Sequence, residues 1–130
     1  MPRAPHPVRK GLLTLLVVLA GTTLPSACHR DSVQLVPGGD AEKGKLALAA
    51  YGCGSCHTIP GVRGADGEVG PPLTGFARRS YIAGEVPNTA PYLIRWIETP
   101  QSIEPGTAMP NLGVTEAEAR NIAAYLYTLQ

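Results

Sequence analysis

The run Cys53-Gly54-Ser55-Cys56-His57 packs two thiols and an imidazole into five consecutive residues. This C-x-x-C-H spacing is the attachment signal for a c-type haem. The physical requirement is narrow: the thiols reach two vinyl groups on one porphyrin edge, and the adjacent imidazole then stands over the iron. Three other uses of such a cluster are open to the same residues. A structural zinc site needs a full tetrahedral ligand set, and beyond these three groups the chain after residue 27 adds only Cys28 and His29, a distant pair. A thioredoxin-like dithiol normally closes a strand in a βαβ pattern, and no alternating β pattern of useful length is present. The third is a plain disulfide between Cys53 and Cys56.

The axial partner separates these readings. Iron held by His57 has a sixth position, and the sequence contains two methionines, Met1 and Met109. Met109 stands in Pro105-Gly106-Thr107-Ala108-Met109-Pro110, a loop stiffened by flanking prolines. A core methionine usually belongs to a helix stripe, so this setting favours ligation by the thioether. Metal ligands are thus expected at His57 and Met109, and covalent attachment at Cys53 and Cys56.

The N-terminus reads as an address. Arg3, Arg9 and Lys10 precede the apolar run GLLTLLVVLA at residues 11–20, a positive region followed by a core of signal-peptide length. A transmembrane span needs ~20 apolar residues, which this run reaches only if residues 21–24 are counted. The segment Leu24-Pro25-Ser26-Ala27-Cys28 sets small residues directly before a cysteine, as at a bacterial lipoprotein processing site, so lipidation is expected at Cys28. Residues 1–27 are thus read as a signal peptide or N-terminal anchor, and the product as exported to the periplasm. There it is held to a membrane by lipid or anchor, or is soluble if cut elsewhere. Without residues 1–27, eight basic residues face ten acidic ones, which leaves no polybasic surface for nucleic acid.

Residues 28–39 end in Pro-Gly-Gly and show no helical period. They read as a tether spanning at most roughly 40 Å. The domain is then 40–130. Asp40 is the expected N-cap of a helix closed by Gly52, and Gly44 inside it costs about 1 kcal/mol against Ala, which points to close approach by another backbone. Thr115-Glu116-Ala117-Glu118 is a capping box opening a last helix to about Leu129, with Ile122, Tyr125, Leu126 and Leu129 on one stripe. Pro91–Glu98 reads as a third helix, stopped by Thr99-Pro100. Residues 58–69 and 100–112 read as loops, consistent with 15 Gly and 13 Pro in the chain.

Taken together, Gly39-Asp40-Ala41-Glu42-Lys43-Gly44, the C-x-x-C-H run, Gly70-Pro71, the Pro-Gly-Thr-x-Met-Pro loop and the closing helix resemble the class I, mitochondrial-type monohaem c-type cytochromes. The resemblance covers nearly all of 40–130. It implies an all-α fold, the small cytochrome c fold, with three or more helices and loops wrapped around one covalently bound haem c. It also implies roles for further cofactor-binding residues. Pro71 matches the proline whose carbonyl accepts from the proximal histidine, and Arg79, or its neighbour Arg78, matches a propionate-binding arginine. Thr107 matches a propionate-binding threonine, and Trp96 an aromatic residue beside the methionine sulfur. Gly44, Leu48, Ile122 and Tyr125 match the contact between the first and last helices. One departure stands out: Asn88 occupies the place of a propionate-binding tryptophan and is expected to donate a hydrogen bond instead.

The function implied is one-electron transfer between membrane-associated redox proteins, with no small-molecule substrate. A haem peroxidase or gas sensor would need a vacant sixth site and a distal acid–base group, and the only other histidine after residue 27 is His29. A haem-bearing subunit of a larger oxidase or dehydrogenase complex shares all these sequence features. The family's mitochondrial members are strongly basic, so docking through a positive ring is not expected of this chain.

Overall fold

The computed structural model describes Met1 and residues 35–130. The expected signal peptide, most of the expected tether and the expected lipidation at Cys28 lie outside the described residues. Three α-helices carry the fold: α1 (Ala41–Ala50), α2 (Ala90–Glu98) and α3 (Glu116–Leu126). Single 3-10 turns at Cys53–Ser55, Phe76–Arg78 and Pro100–Ser102 punctuate the connections. A two-stranded antiparallel hairpin joins β1 (Tyr81–Ile82) to β2 (Val86–Pro87). No helix among the described residues is long and apolar enough to cross a membrane.

Local signals account for each helix. The Asp40 carboxylate accepts from the Lys43 amide at 3.1 Å and starts α1. Gly52, left-handed at φ 69°, turns the chain out of it. The Thr115 hydroxyl and the Glu118 carboxylate exchange hydrogen bonds with each other's backbone amides, so the capping box is formed as expected. α3 ends at Leu126, three residues short of the expected Leu129. The hydroxyl of Thr128 donates to the Tyr125 carbonyl at 2.7 Å and helps close that end. α2 begins at Ala90, one residue before the expected Pro91, with Pro91 in its first turn.

α1 and α3 cross closely. A Cβ added at Gly44 would lie 1.9 Å from the Asn121 carbonyl oxygen, so the close approach expected from that glycine is present. The Asn121 side chain then accepts from the Asp40 amide at 2.9 Å, and the Tyr51 hydroxyl donates to Glu118 at 2.7 Å. Leu48, Leu93, Ile122, Leu126 and Tyr127 form the centre of the core, each 4% exposed or less. Burial of such a side chain contributes ~1.5–3 kcal/mol.

One expectation is corrected here, and one element is added. The end of the expected tether packs on the domain: Val36 is buried, the Gly39 amide donates to its carbonyl at 2.9 Å, and Arg120 reaches the Pro37 carbonyl. A Cβ at Gly39 would meet the Arg120 carbonyl at 2.8 Å, which is why small residues precede α1. The hairpin was also unforeseen. Its strands are two residues each, one contains Pro87, and its turn places Ala83 and Gly84 at positive φ. Ala-Gly is a weak turn signal compared with Asn-Gly.

Candidate haem site

The C-x-x-C-H run leaves α1 through Gly52 and folds as a 3-10 turn in which the His57 amide donates to the Cys53 carbonyl at 3.0 Å. The following loop is sutured back onto it. Amides of Gly67 and Gly70 donate to the carbonyls of Gly54 and Cys56 at 3.0 and 2.8 Å, and the Leu73 amide donates to Thr58 at 2.8 Å. The Tyr125 hydroxyl, from α3, donates to the Pro60 carbonyl at 2.7 Å. Such ties from several directions fix the backbone under the imidazole. The His57 Nδ1–H then donates to the Pro71 carbonyl at 2.8 Å, which selects the tautomer and leaves Nε2 as the free ligand nitrogen. Gly70 makes room for the ring: a Cβ there would sit 2.3 Å from His57 Cε1.

The second loop is held by its own side chains. Glu104 accepts from the Gly106 amide at 2.9 Å, and the Thr107 hydroxyl accepts from the Met109 amide at 3.2 Å. Gln101 donates to the Met109 carbonyl at 2.8 Å. No regular secondary structure is needed to present Met109.

Both loops open on one cavity of about 420 Å³. Cys53, Cys56, His57, Pro71, Arg79, Trp96, Thr107 and Met109 all line it. Leu48, Leu73, Phe76, Leu93, Ile122 and Leu126 supply much of its apolar wall. Among the described residues, Arg79 and Glu104 are the Asp, Glu, Lys or Arg residues that line it. Cys53 and Cys56 are both free thiols, so the disulfide reading is not the state seen. Burial pushes the Cys53 thiol above its ordinary pKa. Among the described residues, no group of three or more His, Cys, Asp or Glu side chains is arranged to hold a metal ion by itself.

Asn88 is the exception among the expected site residues. It does not line the cavity. Its Nδ2 donates to the carbonyls of Phe76 and Arg79 at 3.1 and 3.0 Å, and its Oδ1 accepts from the Tyr127 hydroxyl at 3.1 Å. Both amide hydrogens are spent on backbone, so the expected donation into the cofactor pocket is corrected. Of the two arginines, Arg79 reaches the cavity wall. Arg78 is exposed, and its guanidinium lies beside Gly75. Among the cavity residues unread in the sequence are Gly70, the cradle of the imidazole, and Tyr81 and Ile82 from the hairpin. The glycine's contact is decided by a fold-back of thirteen residues, which no local pattern reports.

The residues present fit a haem. Two thiols, an imidazole with one nitrogen already committed, and a thioether share a single apolar cavity with a guanidinium on its wall. A second cleft, among Val36, Ile94, Arg95, Glu116 and Arg120, offers no thiol, imidazole or thioether.

Such a site belongs to proteins that hold haem through cysteine. Residues 41–130 match the family model for cytochrome c, and the chain belongs to the cytochrome c family. Among solved structures it is similar to cytochrome c2 from Rhodobacter sphaeroides, with 21% identity over 70% of this chain and 96% of that one, at a TM-score of 0.49. Membership makes the chain a haem-based electron carrier with one covalently bound haem c, working with redox protein partners and not as an enzyme.

Proposed function

We propose that the chain relays single electrons in the periplasm with His57 and Met109 as the two axial ligands and its N-terminus held at a membrane. The observation that carries the ligation is the bond from His57 Nδ1 to the Pro71 carbonyl at 2.8 Å, in the same cavity that Met109 lines. When bound, haem supplies a one-electron couple, and a thioether ligand raises its potential relative to two imidazoles. The protein's part is to orient and to exclude water. Pro71 fixes the imidazole plane, the Thr107 and Gln101 bonds fix the Met109 loop, and the apolar wall keeps the iron's surroundings dry. Cys53 and Cys56 would carry the haem covalently, Trp96 would pack near the sulfur, and Arg79 and Thr107 would meet the propionates. Partners meet an apolar rim: Val69, Tyr81 and Leu112 line the cavity and are 81%, 59% and 41% exposed.

Export and membrane attachment rest on the basic start, the apolar run at residues 11–20 and Cys28 after Ser26-Ala27. Haem c is attached outside the bacterial cytoplasm, which agrees with export. An intact mass of the mature protein tests this part: diacylglyceryl mass on Cys28, or retention of residues 1–27 as an anchor, supports it, and a chain cut elsewhere without lipid refutes it. For the ligation, ferric protein is expected to show the near-infrared band of sulfur-bound iron. Met109→Ala is expected to lose that band and to gain carbon monoxide binding in the ferrous state. Unchanged carbon monoxide binding would overturn the assignment.

A further inference from the structure

Asn88, misplaced by sequence reasoning, has a precise structural position. It follows β2 directly, and its amide N–H donates to the Ser80 carbonyl at 2.9 Å. Its side chain caps the 3-10 turn Phe76–Arg78: Nδ2 serves the carbonyls of Phe76 and Arg79, at either end of that turn. Its Oδ1 is held in turn by Tyr127, which is fully buried just beyond α3 and packs its ring 6.1 Å from that of Phe76. The Arg79 guanidinium lies over the Phe76 ring, 5.3 Å from its centroid, and donates to the Pro72 carbonyl. One continuous set of contacts therefore runs from the end of α3 through Tyr127 and Asn88 to the backbone that carries Arg79.

We propose that Asn88, anchored by Tyr127, is a positioning residue that holds Arg79 at the wall of the haem cavity, fixing the arginine that meets the cofactor's carboxylates. This rests on Arg79 facing those carboxylates. The physical reason is the economy of the contact. Removing the Asn88 side chain takes the partner from the Arg79 carbonyl and the buried Tyr127 hydroxyl and leaves the Phe76 carbonyl with only the Arg79 amide, and groups left unpartnered are costly. The turn then relaxes, and the guanidinium at its end loses its fixed place. A guanidinium held beside a carboxylate keeps it ionised to lower pH, and its positive charge favours the ferrous state. Loosening it reverses both effects.

The test uses the matured holoprotein with Asn88→Ala, Arg79→Gln and the two combined. Midpoint potential is followed against pH, and exchange of the Arg79 amide hydrogen, which bonds the Phe76 carbonyl at 3.1 Å, is followed alongside. Asn88→Ala is expected to lower the potential, to move the acid step in its pH profile to higher pH and to speed that exchange. The double substitution is expected to match Arg79→Gln alone, since contacting residues that act as one unit are not additive. An Asn88→Ala shift that adds in full to that of Arg79→Gln overturns the proposal, as does an unchanged profile in Asn88→Ala. Arg79→Gln with no effect by itself shows instead that Arg79 does not face the carboxylates. Should Asn88→Ala fail to mature, Tyr127→Phe is judged by the same criterion of non-additivity, because it frees Oδ1 and leaves both Nδ2 bonds in place.

Discussion

Gly44 and Asn121 meet backbone to backbone: a Cβ on the glycine would stand 1.9 Å from the asparagine's carbonyl oxygen. The same asparagine caps the start of α1 with its side chain. The crossing of α1 and α3 is therefore set by a missing methyl group.

Gly44→Ala adds about 1 kcal/mol of helix propensity and forces the helices apart at a contact with no flexible side chain to yield. Overpacking of this kind costs ~1–3 kcal/mol, and here the obstacle is backbone. Urea unfolding is expected to show a net loss of stability. Equal or greater stability would mean that the two helices do not cross at this residue.

Gly70→Ala places a methyl group 2.3 Å from Cε1 and 2.7 Å from Nδ1 of His57. The ring must swing away from the Pro71 carbonyl. A lower fraction of chains carrying covalent haem is expected, with a weakened or altered low-spin spectrum in those that do. A normal yield with an unchanged spectrum would show that the imidazole does not depend on this glycine.

Glu118 titrates below its ordinary value of 4.5 because Thr115 and Tyr51 hydrogen-bond its carboxylate. A folded-state pKa below the unfolded one gives stability that is present above pH 4.5 and lost as pH falls through the lowered value. Tyr51 shifts the opposite way, above 10.0, chiefly through its bond to Glu118. Its share is present below pH 10.0 and lost above it. Glu118→Gln is expected to flatten the acid limb of the stability profile and Tyr51→Phe the alkaline limb, read by denaturant midpoints across pH. A steeper acid limb in Glu118→Gln would contradict the assignment.

Tyr127 is pushed up to about 12 by burial. Its raised pKa means that folding is unaffected by this group below pH 10, and that stability drains away as pH climbs from there toward about 12. An absorbance titration is expected to show one tyrosine ionising only together with loss of structure. In Tyr127→Phe that late step disappears, and the protein is less stable at neutral pH because Asn88 Oδ1 loses its partner.

What the sequence alone determined is local and chemical. Cys53, Cys56 and His57 form a haem-attachment motif by type and spacing, and Met109 stands out by its proline-flanked loop. Asp40, Gly52 and the Thr115–Glu118 box mark helix ends within a few residues of where they fall, because caps act over one turn. Gly44 could be read too, since a costly residue inside a helix asks for a neighbour. Tertiary structure decided everything that depends on residues brought together from far apart. It chose Arg79 over Arg78 by the way one 3-10 turn faces the cavity. It spent the Asn88 amide on two carbonyls and a tyrosine instead of the cofactor, and it folded Gly70 against a ring thirteen residues away. It also pulled Val36 into the core, where composition had offered only a tether. A hydrogen-bonding side chain satisfies whichever partner the packed chain brings nearest, and that partner is fixed by the whole fold, not by the residues beside it.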